Sequence, residues 1–451
     1  MTRARVRRAW FFYPLNKMRG WIGLVAALVA FMVMASVAPS AMAAPPPPNP
    51  APTITEFPIP GGADPGQALG NLTLGPDGNI WFVARDKPLI GRILSHAPYT
   101  VTEFPVPTDD SYVSDIITGP DGNLWFTEQG DFRNEGAMQA GKIGRILPHA
   151  PYTITEFNTA DPQDRPRPFQ IVVGPDRNLY FTETCTAGFA GIASCPPNAG
   201  GSVGRITPFG PDARIQASVT QVAHPAPCAP VICNSVADIT VGPDRNLWLT
   251  DNTNIDRLTV PGYQLAQFPV PNGAHPPFIT TGLDGNLWFT GGGGPSGNQF
   301  GRISPRDPHT ITLYPASATN PAPNTQGITT GPDGHLWFAE YTNSAIGTVS
   351  PVTPTQVTEY QLPVSGANPR NVISGPCNTI WFSDQAGYIG RIQLPNHDGL
   401  PGLLGVGSGA GAMTTTDGRS RSLMFLRFPA RLSHYGGHGK QMFRFQLPPV
   451  K

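Results

Sequence analysis

Charge is scarce in this chain: only 13% of its 451 residues are charged, 30 basic and 30 acidic, which excludes a disordered polyelectrolyte. Cysteine is scarcer still, with five residues, so disulfides cannot be the main framework. Long helices are excluded by the opposite excess, 51 glycines and 53 prolines. No Gly-rich phosphate loop, nucleophile elbow or two-His metal motif occurs. Only one stretch, the uncharged residues 21–38, is both apolar and long enough to span a bilayer.

The neutral total conceals a division along the chain. Residues 1–20 carry six Arg or Lys and no acid, and residues 394–451 carry seven against two. Residues 44–393 are left with 17 basic and 28 acidic side chains, a balance of −11. An acidic body excludes a nucleic-acid binder, whose basic residues belong on the folded domain.

Arg3, Arg5, Arg7, Arg8, Lys17 and Arg19 precede the uncharged stretch, and Ala41-Met42-Ala43 follows it. Residues 1–44 are therefore expected to be an export signal cleaved after Ala43, with an uncleaved membrane anchor as the alternative. The expected location is secreted or extracytoplasmic. Residues 45–52 form a Pro-rich spacer. Export permits disulfides, and Cys185 with Cys195 and Cys228 with Cys233 are the expected pairs, leaving Cys377 free. After a Gly-rich linker, residues 395–451 end in a basic aromatic tail suited to an anionic cell-envelope contact, with an unstructured tail as the alternative.

The strongest signal is an internal repeat. It reads GPDGNIWF from Gly75, GPDGNLWF from Gly119, GPDRNLYF from Gly174, GPDRNLWL from Gly242, GLDGNLWF from Gly282, GPDGHLWF from Gly331 and GPCNTIWF from Gly375. The spacings of 44, 55, 68, 40, 49 and 44 residues each suit one four-stranded blade. Pro presets the first turn torsion, Asp favours the second and Gly accepts a positive φ, so the element is a hairpin turn between an inner strand and an aromatic strand. Alternating third and outer strands follow. The TITEFP run from Thr53 is an outer-strand sequence with no blade of its own, whereas the seventh repeat lacks one. Residues 53–394 are thus expected to form an all-β, seven-bladed propeller closed by that N-terminal outer strand, and to be monomeric. Every Trp after residue 21 falls at the repeated aromatic position, which predicts blade-to-blade packing.

Inner and aromatic strands are antiparallel, so the residues entering one and leaving the other share the face opposite the turns. Carboxylates end the aromatic strand at Glu128, Glu183, Asp251, Glu340 and Asp384, and Gln326 and Arg370 enter inner strands of the last two blades. This is the expected face for a small-molecule or peptide-like ligand, with His275 as its one nearby histidine. A ring of carboxylates suits a hard cation such as Mg2+ or Ca2+, with Glu340 and Asp384 as ligands. Hydrogen-bonded structural carboxylates are the alternative.

Through repeats of the form GPDGNLWFTE, IGRI and TEFPVP, residues 53–394 resemble the virginiamycin B lyase (streptogramin lyase) family. The resemblance implies an elimination that opens the ester of a cyclic streptogramin B depsipeptide, using a His base, a second His and Mg2+ held by acids. By position the two histidines fall on Gln326 and Arg370, one acid falls on Asn368 and the other on Asp384. Three of these four positions depart from the family pattern. The sequence therefore points to ligand or partner binding, or an unidentified reaction, with streptogramin elimination as the alternative.

Overall fold

A computed structural model of the chain describes residues 51–395, apart from 61–68, 86, 110, 131–140, 160–166, 185–200, 209–213, 222–235, 252, 292–298 and 318–322. The export-signal segment, most of the spacer, both expected cysteine pairs and all but the first residue of the tail lie outside the described residues. Cys377 is free and exposed. Among the described residues no helix is long and apolar enough to cross a membrane.

Seven four-stranded antiparallel sheets make the ring. Blade 1 runs outward as Leu69–Leu74, Ile80–Ala84, Leu89–Ile93 and Val101–Pro105. Blade 7 supplies only Pro369–Gly375, Thr379–Asp384 and Tyr388–Gln393, and Thr53–Pro58 adds its fourth strand in register from Thr53 opposite Gln393 to Pro58 opposite Tyr388. The closure expected from the sequence is therefore present.

The turn explains why each repeat holds its shape. In blade 1 the Asp77 carboxylate accepts the Asn79 backbone N–H at 3.2 Å and the Trp81 indole N–H at 3.0 Å. Gly78 adopts the left-handed φ of +75° that the turn needs. Asp121, Asp244, Asp284 and Asp333 hold their own tryptophans in the same way, and Asp176 accepts from the Tyr180 hydroxyl. Blade 7 has Cys377 in place of the Asp, and there the Thr379 hydroxyl accepts the Trp381 N–H at 3.0 Å.

Each repeated aromatic then enters the core of the next blade. Trp81 packs with Ile116 and Phe126 of blade 2, Trp288 packs with Phe338 of blade 6, and Trp381 closes the ring against Leu72 and Phe82 of blade 1. All six tryptophans are buried. Burying such large rings contributes on the order of 2 to 3 kcal/mol each, which makes blade contact the main use of the motif.

Near the axis, five inner strands carry a polar residue four positions before the repeat glycine: Asn71, Asp115, Gln170, Asp238 and Asn371. Their side chains stitch neighbouring blades together. Asp115 accepts backbone N–H groups from Ile116 and from Ile171 of blade 3, both at 2.8 Å, and Asp238 does the same with Ile239 and Ile279 of blade 5. Asn71 donates to Asp115 at 2.9 Å and to Gln170 at 2.8 Å, and Asn371 accepts the Leu72 N–H at 3.2 Å. These bonds satisfy backbone groups that the bulges in the inner strands release from the ladder.

Candidate functional site

The face opposite the turns does collect the strand ends, since Val113 pairs with Glu128, Thr325 with Glu340 and Pro369 with Asp384. The five carboxylates do not converge there. Each is buried and held within its own blade. Ser111 donates to Glu128 at 2.7 Å, Ser202 donates to Glu183, and Asp251 accepts the Thr253 and Asn254 backbone N–H groups at 2.6 Å. Asn343 donates to Glu340 at 2.7 Å, and the Tyr388 N–H donates to Asp384 at 3.1 Å.

Their charged neighbours also lie within the blade. Glu128 feels Glu156, Glu340 feels Glu359, and Asp384 raises Glu56. Only the blade 2 pair has a cation, Lys142, which contacts Glu156 at 2.7 Å and helps hold it below the ordinary carboxylate range. In blade 6 the corresponding residue is Ala345, and in blade 7 it is Tyr388.

Burial pushes Glu128 and Glu340 up to about 7 and Asp384 to about 6. One oxygen of each, Glu128 Oε1, Glu340 Oε1 and Asp384 Oδ2, is buried without a hydrogen-bond partner. The same orphan in three separate blades is what protonated acids with one occupied oxygen would leave, and it is not a shared cage. Among the described residues, no three His, Cys, Asp or Glu side chains are placed to hold a metal ion together. Spacing along the sequence placed these acids on one rim, but partners within their own blades hold their side chains, and in blade 6 the third-strand Gly347 leaves room for one. A Cβ built on Gly347 would lie 2.7 Å from Glu340 Oε1.

Buried acids make stability depend on pH in a definite direction. Asp115, Asp238, Glu128, Glu340, Asp384 and Asp256 are raised to between about 6 and about 8, burial being the largest cause in each. Unfolded, such groups release their protons near pH 4. The folded state therefore holds more protons between roughly pH 4 and pH 8, and stability falls as pH rises through that window. Asp176, Asp244 and Asp333, lowered by their turn hydrogen bonds, act oppositely and lose their contribution only as pH drops below about 4. The melting temperature should therefore be highest near pH 4 and fall steadily by many degrees toward about pH 8. A flat or rising profile in scanning calorimetry would contradict these assignments.

What does face the axis is cationic. A small open recess, with room for about one water, is lined by Asn71, Arg85, Ser114, Phe169, Gln170, Phe278 and Arg370. Three residues at the inner-strand entry position, Ser114, Phe169 and Arg370, are among them. Gln326 sits beside its own blade, donating to Asn324 at 2.9 Å. The Asn368 carbonyl accepts the Gln385 N–H at 3.2 Å, and His275 is exposed. Sequence reasoning missed Arg85, Asn71, Gln170 and Phe278. The recurrence of polar residues four positions before the repeat glycine was the available signal for Asn71 and Gln170.

Arg370 is the residue that decides the chemistry. Burial, and then the nearby Arg85 charge, lower its guanidinium from the ordinary value to about 10, so it stays protonated near neutral pH. It cannot abstract a proton there, and neither can the amide of Gln326.

Residues 233–399 match the Virginiamycin B lyase family. That stretch is similar to virginiamycin B lyases. A solved streptogramin B lyase is 26% identical with a TM-score of 0.59, covering 76% of this chain and 98% of its own. Virginiamycin B lyase from Staphylococcus aureus, in a catalytically inactive histidine-to-alanine variant with quinupristin, is also 26% identical, with a TM-score of 0.58 and coverage of 76% and 99%. The extracellular domain of a one-component system from B. thetaiotaomicron is 13% identical with a TM-score of 0.53, covers 76% of this chain and 43% of its own, and shares the fold. No curated protein matches the chain.

Proposed function

We propose that this protein is an exported, ligand-binding propeller that uses the lyase face without the lyase reaction. The observation that carries this reading is Arg370, a protonated guanidinium at the position that the family resemblance assigns to a catalytic histidine. Gln326 at the other histidine position, and Asn368 at an acid position, remove the rest of the base and cation machinery. Elimination needs a group that takes a proton next to a carbonyl near neutral pH, and no side chain lining the recess does so. Export rests on the basic and then apolar residues 1–43. Cell-envelope contact through the basic tail belongs to the same reading.

Incubation with quinupristin and Mg2+ tests it. Elimination opens the ring at unchanged mass, whereas hydrolysis adds one water, so mass spectrometry coupled to chromatography separates the outcomes. The expected result is an intact ring. A ring-opened product that disappears in an Asp384→Asn variant would restore the lyase alternative.

A further inference from the structure

We infer that the turn face of the propeller, around blade 7, is the surface that meets a lipid bilayer with anionic headgroups, so that the opposite face with Arg370 points outward. The inference rests on the cell-envelope contact in the reading above and names the surface of the folded domain that makes it.

Both ends of the propeller leave from one place. Thr53 pairs with Gln393, and Gln393 pairs with Thr379 beside the blade 7 turn. There the Asn378 amide donates to the Leu394 carbonyl at 3.4 Å and to the Pro395 carbonyl at 3.2 Å. Nine residues, six of them proline, separate Ala43 from Thr53. A segment of that length spans no more than about 35 Å, so an apolar stretch before it keeps this edge close to a bilayer. Residues 396–451 carry seven Lys or Arg against two acids, with Phe425, Phe428, Phe443 and Phe445 interleaved. Basic residues mixed with aromatics are attracted to anionic lipid. Whichever segment engages the bilayer, the tether starts at the blade 7 turn.

The same face carries the apolar exposure. Among the described residues the exposed large hydrophobic side chains are Leu74, Leu283 and Val352, at 38%, 66% and 84% exposure. Leu74 directly precedes the blade 1 turn, and Leu283 takes the turn position that is proline in the other six repeats. Val352 lies between Ala345–Val349 and Val357–Gln361 of blade 6, also at the turn end. Leu283 leans onto blade 6, since a Cβ on Gly334 would lie 3.5 Å from its Cδ1. Single exposed apolar side chains are ordinary, but these three gather on one face and flank the blade from which the chain leaves. Blade 7 also lacks the turn aspartate of the other blades and presents the exposed, uncharged Cys377 in its place.

Cys377 makes the orientation measurable in the whole purified protein. Vesicles of phosphatidylglycerol with phosphatidylcholine, or of phosphatidylcholine alone, are added, co-sedimentation reads binding, and mass spectrometry after N-ethylmaleimide treatment reads each cysteine in its own peptide. The protein should sediment with the phosphatidylglycerol vesicles, and Cys377 alkylation should slow by about fivefold or more. A Ser365→Cys thiol, at an exposed position on the opposite rim, should react at its vesicle-free rate. Leu283→Asp combined with Val352→Asp should weaken vesicle binding by about tenfold and restore Cys377 alkylation, with the melting curve preserved. Vesicle binding with Cys377 alkylated at its free rate would overturn the inference and leave contact through the tail alone. Protection of Ser365→Cys in place of Cys377 would reverse the orientation and overturn it as well. Cys377 already slow to react without vesicles would assign the turn face to another part of the chain, against the inference. No binding to either vesicle would overturn both the inference and the cell-envelope contact on which it rests.

Discussion

A chain that begins at residue 61 should fail to form a stable monomer. Removing Thr53–Pro58 leaves Tyr388–Gln393 as an open edge and strips blade 7 of its fourth strand. It also removes Ile59, which is buried, and Phe57, whose ring lies 4.5 Å from Tyr99 and 6.0 Å from Trp381. The Glu56 carboxylate no longer accepts the Val364 N–H at 2.8 Å, nor does Ile59 N–H reach the Gly387 carbonyl at 3.1 Å. The lost burial and hydrogen bonds together are worth on the order of 5 kcal/mol, comparable with the whole stability of an ordinary domain. An unpaired edge also templates association. Size-exclusion chromatography and thermal melts of chains starting at residues 45 and 61 would compare the two. A monomeric truncated chain melting within a few degrees of the longer one would contradict ring closure as the source of that stability.

Gly144→Val should be nearly as damaging, at about 4 kcal/mol or more, although it adds only three carbons. Gly144 pairs with Phe126, and a Cβ there would lie 1.9 Å from the ring. Five other blades repeat the arrangement, with Gly91 against Phe82 and Gly390 against Phe382 among them. Blade 4 is the internal control. There the third strand carries Asp256 in place of the glycine, and the residue opposite is Leu249 in place of the phenylalanine. The smaller side chain makes room for the larger one, but the result is a fully buried acid, which burial and then the Asp251 carboxylate push up to about 8. Gly144→Ala should therefore be rescued in part by Phe126→Leu. Equal and additive losses in the two single variants and the double variant, measured by chemical denaturation, would show that the ring does not limit the site.

How much the sequence revealed differs between the fold and the site, for physical reasons. The repeat states its turn chemistry outright, because Pro, Asp and a left-handed Gly are needed wherever Asp77 holds Trp81. The strand count and its closure by Thr53–Pro58 followed directly. Side-chain direction was not legible. Glu128, Glu340 and Asp384 end equivalent strands and so share a rim, but whether an acid at a rim points to the axis or into its blade depends on what the neighbouring strand leaves open. In blade 6 Gly347 leaves that opening beside Glu340. Arg85 escaped notice because it lies one residue beyond the strand end Ala84, where only the ring of blades brings it to Arg370. The assignment of Gln326 and Arg370 to the family's histidine positions rests on the resemblance of the repeats.

The account turns on a charge at Arg370 that does not change near neutral pH. Carbon-detected NMR of arginine-labelled protein, with the Arg370 signal assigned by its loss in Arg370→Gln, measures this directly. The guanidinium resonance should stay constant from about pH 6 to about pH 8, because its protonation equilibrium lies at about 10. A titration with its midpoint inside that range would give the face a base and contradict the central claim.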